Sequence, residues 1–259
     1  MITLAIDNHK VHVKEGTTIL KALEKLGIKI PTLCHHEGLL PYSACRLCIV
    51  EIIKEKGNQI VAACSFPVEE GMKVLTHSDR ILKRRRMIVE FLLARCPDVK
   101  AVRDLADKMR IKKSRFKPKN EDCILCGLCV RVCNDIAGIG AIGFVNRGKN
   151  LKVDTPFHLA SDVCIGCGAC SYVCPTGAIE MELDAVKRFR ESLGSEHKCR
   201  YALMGLVSYK VCSNNYECWK CKVDQRIRDT LATHPIFAAK EIKTEKVKQY
   251  FSFLKRIKE

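Results

Sequence analysis

Hydrophobic and polar positions alternate at the start of the chain and then shift to helical spacing. Thr3–Ile6 and Val11–Val13 read as two short strands around the turn Asp7-Asn8-His9. Ile19, Ala22, Leu23 and Leu26 then sit at i, i+3, i+4 and i+7, which builds one apolar helix face. Thr17 or Thr18 can cap its start and Gly27 its end. Cys48–Ile53 and Gln59–Cys64 read as a hairpin around Lys56-Gly57-Asn58. Ser78 can cap a second helix running through Arg95, with Ile81, Leu82, Ile88, Phe91 and Leu92 as its apolar positions. Arg84, Arg85 and Arg86 fall largely on its other faces and read as a solvated surface, with a partner contact as the alternative. Val99–Met109 places Val102, Leu105, Ala106 and Met109 on one helix face, and Lys112–Lys119 is a basic connector. Gly143–Phe157 reads as a hairpin with Asn146-Arg147-Gly148 at its tip. The tail Ala238–Glu259 is lysine-rich and reads as a helix. Its Tyr250, Phe251, Phe253 and Leu254 either bury against a partner subunit or belong to a solvated terminal helix.

Composition changes this picture through one residue type. Seventeen cysteines in 259 residues suit either a secreted disulfide scaffold or metal binding. The start, Met-Ile-Thr-Leu-Ala-Ile-Asp, has no signal-peptide architecture, the cysteine number is odd, and the tight C-x2-C pairs suit a metal better. The expected compartment is a reducing cytoplasm. No apolar run approaches the roughly 18 residues that span a bilayer. The formal charge of +16 favours docking to acidic partners, such as a small acidic ferredoxin or an acidic subunit. Nucleic acid is the rival partner, but no recognition motif of the usual kinds accompanies the charge.

The cysteines fall into four sets. Cys123/Cys126/Cys129/Cys133 and Cys164/Cys167/Cys170/Cys174 are two near-copies of C-x2-C-x2-C-x3-C, offset by 41 residues. This spacing wraps a [4Fe-4S] cluster. Both copies run on to Gly-Ala-Ile, with four extra residues in the first. Upstream, Cys34, Cys45, Cys48 and Cys64 form C-x10-C-x2-C-x15-C, the closely spaced pair and flanking ligands of a [2Fe-2S] loop. Ser43 and Ala44 are small beside the first thiol of the pair, as a loop needs when backbone N–H groups must approach sulfur. The last set, Cys199, Cys212, Cys218 and Cys221, suits structural zinc, a fourth iron–sulfur cluster, or unmetallated thiols, and His197 could replace one ligand.

Pro31-Thr32-Leu33-Cys34 and Cys45-Arg46-Leu47-Cys48, in a strand, strand, helix, loop, strand, strand order, resemble a known family. They are similar to the N-terminal part of the large iron–sulfur subunit of respiratory complex I. They are equally similar to the diaphorase iron–sulfur subunit of NAD-reducing hydrogenases. Plant ferredoxins use C-x4-C-x2-C instead. Ala44 stands where those relatives usually carry glycine. The relatives also carry a His-x3-Cys-x2-Cys-x5-Cys cluster site after this domain. Here only Cys96 is in reach, so the resemblance implies that this site is lost and Cys96 is a buried thiol.

The paired motifs resemble a bacterial two-[4Fe-4S] ferredoxin domain. That resemblance implies crossed ligation, in which the fourth cysteine of each motif serves the other cluster. One cluster takes Cys123, Cys126, Cys129 and Cys174, and the other takes Cys164, Cys167, Cys170 and Cys133. Pro175 follows Cys174 as expected, while Asn134 replaces proline in the first copy. The C-terminal quartet resembles a small four-cysteine segment appended to various bacterial redox and signalling proteins.

The implied fold is α+β. A β-grasp [2Fe-2S] ferredoxin domain (1–77) is followed by a helical connector (78–118), a two-[4Fe-4S] ferredoxin-like domain (119–183), and a Cys-rich helical region with a basic tail (184–259). The implied cofactors are one [2Fe-2S], two [4Fe-4S], and a zinc or further cluster. No nucleotide-binding glycine fingerprint appears, since Gly138-Ile139-Gly140 lies inside the repeat. The expected role is an electron-transfer subunit of a soluble multi-subunit oxidoreductase, with no substrate-transforming site of its own. The resemblance points to an NAD(P)H-oxidising flavoprotein subunit as partner, combined with ferredoxin, hydrogenase, formate dehydrogenase or another catalytic subunit. A freestanding multi-cluster carrier and a nucleic-acid-binding iron–sulfur protein are the alternatives.

Overall fold

A computed structural model describes residues 1–155, 161–191 and 197–241. The chain divides into two compact units, Met1–Gly127 and Leu128–Glu259.

In the first unit, β1 (Ile2–Ile6) and β2 (His9–Val13) pair antiparallel, with Asp7 and Asn8 both at positive φ in a tight turn. That turn is the two-residue kind that Asx residues favour. Helix α1 (Ile19–Lys25) follows, with the Thr18 hydroxyl accepting from the Lys21 N–H at 3.4 Å and Gly27 at φ +71° ending it. Strands β3 (Ile49–Ile53) and β4 (Gln59–Ala62) form the expected hairpin. The pattern reading misses β5 (Lys73–Leu75), a three-residue strand too short to show a period. It pairs parallel to β1 and antiparallel to β3. The sheet order is β2-β1-β5-β3-β4, so β5 closes the β-grasp. Leu4, Ile6, Ile19, Leu23, Ile52 and Val74 pack into one core between sheet and α1. Each such side chain contributes about 1.5–3 kcal/mol when fully buried.

Helix α2 (Asp79–Arg95) is capped by Ser78 as expected, but its inner face differs from the expectation. Ile81, Arg85, Val89 and Ala94 are buried, whereas Leu82 and Phe91 are exposed. The solvated reading of the arginines holds for Arg84 and Arg86 and is overturned for Arg85, which is 2% exposed. Arg85 lies four residues from both Ile81 and Val89, so it shares their face. Helix α3 (Lys100–Lys108) packs on α2 through Val102 and Ala106. The basic connector returns along α2, where Arg115 pairs with the Glu90 carboxylate at 2.7 Å and Phe116 stacks on Phe91.

In the second unit, α4 (Leu128–Arg131) runs into a π-helical turn, Val132–Ile136, that carries Cys133. Strands β6 (Gly143–Val145) and β7 (Lys152–Asp154) make the expected insert hairpin. Helix α5 (Ala169–Tyr172) lies within the second motif, carries Cys170 and packs against α4. Helix α6 (Met181–Glu191) then continues through the expected boundary at residue 183. Helices α7 (Arg200–Met204) and α8 (Lys222–Thr230) frame the last cysteines. The tail residues Tyr250, Phe251, Phe253 and Leu254 lie outside the described residues. Among the described residues, no helix is long and apolar enough to cross a membrane.

Glu51 ties the sheet to α2. Its carboxylate is 2% exposed, accepts from the Ser78 hydroxyl and from Asn58 Nδ2 at 3.2 Å, and pairs with Arg80 at 2.7 Å. The Ser78 bond, ahead of those from Asn58 and Arg80, holds its pKa below the ordinary carboxylate range. A depressed carboxylate stabilises the fold above its unfolded pKa, and that stability is lost as pH falls through the folded value. Glu51→Gln is expected to cost about 1–3 kcal/mol near neutral pH. The gap between the two proteins should close as pH falls below about 4. Thermal melts of both across pH check this, and a gap that stays constant into acid refutes it.

Candidate metal centres

The upstream set sits on the loop between α1 and β3 and at the end of β4. Cys34, Cys48 and Cys64 are buried and Cys45 is half-buried. The thiols associate in pairs. Cys45 is pulled down to about 6, first by its hydrogen bond with Cys34, and Cys34 is raised by the same contact. Cys64 is pulled down to about 5, first by Cys48, which is raised in turn. Two thiols in contact on each side is the arrangement that two irons with two thiolates each require. The Cys45 N–H donates to Cys34 Sγ at 3.4 Å, and Ser43 Oγ lies 3.3 Å from Cys64 Sγ. Ser43 and Arg46 both take positive φ (60° and 56°), which turns the loop inward around the sulfurs.

Arg85 fixes this loop from behind. Its Nε donates to the Leu47 carbonyl at 3.0 Å and its Nη2 to the Ile49 carbonyl at 2.6 Å, so one guanidinium spans Cys48. Burial lowers its pKa, and the nearby Cys48 and Asp7 oppose that shift. Sequence reasoning missed this residue because the pattern of apolar positions on α2 says nothing about two carbonyls some 36 and 38 residues away.

The two repeat copies share a backbone path. Leu125 and Gly166, at equivalent positions, take φ of 55° and 58°, and Gly127 and Gly168 take 74° and 78°. In the first copy the Leu125 N–H donates to Cys123 Sγ at 3.4 Å. In the second the Gly166 N–H makes the matching bond to Cys164 and favours its thiolate. A side chain at Gly166 would meet Phe189 at 3.1 Å. Each copy is also gripped by an arginine. Arg95 donates to the Cys123 carbonyl at 2.6 Å, and Arg188 donates to the carbonyls of Ser161 and, at 2.5 Å, Cys164.

Cys133, Cys164, Cys167 and Cys170 line one cavity. The π-helical turn and the Ala141 N–H, which donates to Cys133 Sγ at 3.3 Å, aim Cys133 at the second motif's thiols. Burial pushes Cys167 up to about 11 and Cys170 up to about 12. Neutral thiols in a buried cavity become thiolates when a cationic cluster replaces their protons. Of the other quartet, Cys123 and Cys126 close the first unit, while Cys129 and Cys174 belong to the second. Cys126 and Cys129 are buried. Cys174 Sγ lies 3.4 Å from Thr176 Oγ1.

Cys96 caps the end of α2 and is fully buried, and that burial raises its pKa to about 12. It is a protonated core thiol. In the C-terminal region, an isolated antiparallel bridge between Lys198 and Val211 brings Cys199 beside Cys212. The Cys199 N–H donates to the Lys210 carbonyl at 2.7 Å, and the Cys212 N–H to the His197 carbonyl at 2.6 Å. All four C-terminal cysteines line a second cavity.

Arg85→Lys keeps the charge and loses the fork across Cys48. It is expected to cost about 2–3 kcal/mol. It should also speed iron loss from the first site, followed by the decay of its visible absorbance. The exposed neighbour change Arg84→Lys should leave both unchanged, and equal behaviour of the two variants refutes the assignment.

Comparison with known proteins finds two domain families along the chain. Residues 1–79 match the 2Fe-2S iron-sulfur cluster binding domain family, and residues 117–181 match the 4Fe-4S dicluster domain family. The chain is 34% identical to a component of the NADH-quinone oxidoreductase of Rickettsia bellii, over 72% of this chain and 31% of that one. It is 33% identical to NADP-reducing hydrogenase subunit HndD of Solidesulfovibrio fructosivorans, over 76% of this chain and 39% of that one. It is 35% identical to NADPH-Fe(3+) oxidoreductase subunit alpha of Geobacter sulfurreducens, over 69% of this chain and 24% of that one. The chain thus spans well under half the length of these curated relatives. A crystal structure of NAD+-reducing [NiFe]-hydrogenase in the H2-reduced state superposes with a TM-score of 0.61 at 26% identity, covering 68% of this chain and 86% of that one. The resemblance to complex I and hydrogenase iron–sulfur subunits holds, and the architecture is a 2Fe-2S domain followed by a 4Fe-4S dicluster domain.

Proposed function

We propose that this chain is the iron–sulfur electron-transfer subunit of a multi-subunit oxidoreductase. It relays single electrons between an NAD(P)H-oxidising flavoprotein subunit and ferredoxin, or a hydrogenase, formate dehydrogenase or other catalytic subunit. The observation that carries this reading is the meeting of Cys133 with Cys164, Cys167 and Cys170 around one cavity, which is the crossed gathering that a dicluster relay needs. The printed names of the relatives, all oxidoreductase or hydrogenase components, support it.

Cys34, Cys45, Cys48 and Cys64 hold a [2Fe-2S] cluster. Cys123, Cys126, Cys129 and Cys174 hold one [4Fe-4S] cluster, and Cys164, Cys167, Cys170 and Cys133 hold the other. Cys199, Cys212, Cys218 and Cys221 add a metal site of their own, zinc or a further cluster. Bound in these sites, the clusters supply one-electron iron redox chemistry. The protein's part is positional and electrostatic. Backbone N–H groups point at sulfur, and arginines hold the carbonyls beside the first thiols. Such hydrogen bonds raise or lower reduction potential by favouring one charge state. The basic surplus of +16 serves as a docking surface for acidic partners in a cytoplasmic complex.

Anaerobic purification of a tagged chain from its own cells tests the role. A subunit brings a flavin-containing chain, and NAD(P)H then bleaches the cluster absorbance. Elution alone, with no response to NAD(P)H, refutes the subunit role and favours the freestanding carrier. The ligand map has its own test. Cys174→Ser should remove the signal of the cluster held by Cys123, Cys126 and Cys129, about four irons per chain. Loss of the Cys164 cluster in its place refutes crossed ligation.

A further inference from the structure

The positive charge of the chain is concentrated in one stretch. Residues 78–119 carry fifteen Lys and Arg against five Asp and Glu, so ten of the sixteen net charges fall within 42 residues. That stretch is α2, α3 and the connector that returns along α2. Its carboxylates are already engaged. Glu90 pairs with Arg115, Asp98 with Arg103 and Asp104 with Lys100. Among the described residues, no carboxylate pairs with Lys83, Arg84, Lys112, Lys113 or Lys117, and all five are exposed.

An apolar centre sits inside this field. Arg84, Met87 and Phe91 lie at i, i+3 and i+7 on α2, which puts them on one stripe. Met87 is 49% exposed and Phe91 52%. Phe116, 37% exposed, comes from the connector and stacks on Phe91 with ring centroids 4.3 Å apart. Arg115 lies over the Phe116 ring, 5.7 Å from its centre. Phe116 also lines a cleft of about 430 Å³ whose exposed rim carries Arg103, Lys112 and Lys113. Arg95, four residues after Phe91 and so about one helical turn away, holds the Cys123 carbonyl at 2.6 Å.

We infer that the Phe91/Phe116 stack and the basic residues around it are the docking site of a small acidic electron carrier of the ferredoxin class. The inference rests on the reading of the chain as an electron-transfer subunit and adds where the carrier lands. Permanently bound subunits bury a larger and more apolar surface than three exposed side chains offer. A small apolar centre inside a wide charged rim suits a brief encounter steered by charge. The chain's own tail, 242–259, has six Lys and Arg against two Glu, and a second copy carries the same basic field, so both are repelled. Nucleic acid has the right sign of charge, but the link from α2 to Cys123 gives this face a use that an electron carrier exploits. One electron passes between the docked carrier and the chain, one centre being oxidised as the other is reduced.

Stopped-flow anisotropy of a dye-labelled, carboxylate-rich two-[4Fe-4S] ferredoxin mixed with the anaerobically purified full chain tests this. Association should slow as salt is added. Arg84→Glu, Lys113→Glu and Lys117→Glu combined should slow it about 10- to 100-fold at low ionic strength. An equal charge reversal on the β-grasp domain, Lys10→Glu, Lys21→Glu and Lys54→Glu, should slow it less than about threefold. Phe116→Ala should leave association within about twofold and speed dissociation about fivefold. Iron content should be unchanged in every variant. Equal slowing by the two triple variants overturns the docking site and leaves the electron-transfer reading standing. A wild type that co-purifies with a flavoprotein but does not bind the ferredoxin does the same. Tighter binding of single-stranded DNA than of ferredoxin, lost in the first triple variant, assigns the face to nucleic acid and overturns the proposal. A wild type whose clusters exchange electrons with neither the reduced ferredoxin nor NAD(P)H and a flavoprotein, as read by EPR, overturns both readings. If the first triple variant loses iron, Phe116→Ala decides, and an unchanged dissociation rate overturns the site.

Discussion

An arginine stands behind each group of thiols, and the local structure depends on it. Arg85 grips the carbonyls on both sides of Cys48, Arg95 grips that of Cys123, and Arg188 those of Ser161 and Cys164. Arg200 reaches Cys218 directly. The guanidinium suits this task because its planar fork fixes direction and its charge is permanent. Held against a carbonyl, it orients the cysteine backbone and leaves a positive charge where negative thiolates must collect. Part of the +16 surplus is therefore spent inside the fold rather than on its surface.

The second requirement is backbone that bends the wrong way for most residues. Gly166 and Gly168 take left-handed conformations at little cost, and the Gly166 N–H turns toward the Cys164 sulfur as a result. Leu125 adopts the same conformation in the first copy without a glycine's freedom, which shows how strongly the N–H to Cys123 bond and the surrounding packing determine the path. The π-helical turn does related work at Cys133. A wider turn shifts the register of side chains along the helix, and such turns concentrate at functional sites.

Local signals were enough for the hairpins, α1, the caps at Thr18 and Ser78, and the repeat. Each of these is written within a dozen or so neighbouring residues. Whatever depends on distant partners was illegible. Strand β5 is a Lys-Val-Leu tripeptide that becomes a strand only because β1 and β3 flank it. Arg85 reads as one of three surface arginines until the loop carbonyls are placed above it. The bridge that draws Cys199 to Cys212 is equally invisible in spacing alone. Cysteine spacing was informative because metal ligation constrains it directly.

The fork at Arg85 joins the cluster loop to a 17-residue helix. A displacement of α2 is therefore carried to the carbonyls on either side of Cys48, and the helix acts as a lever on the loop's sulfurs.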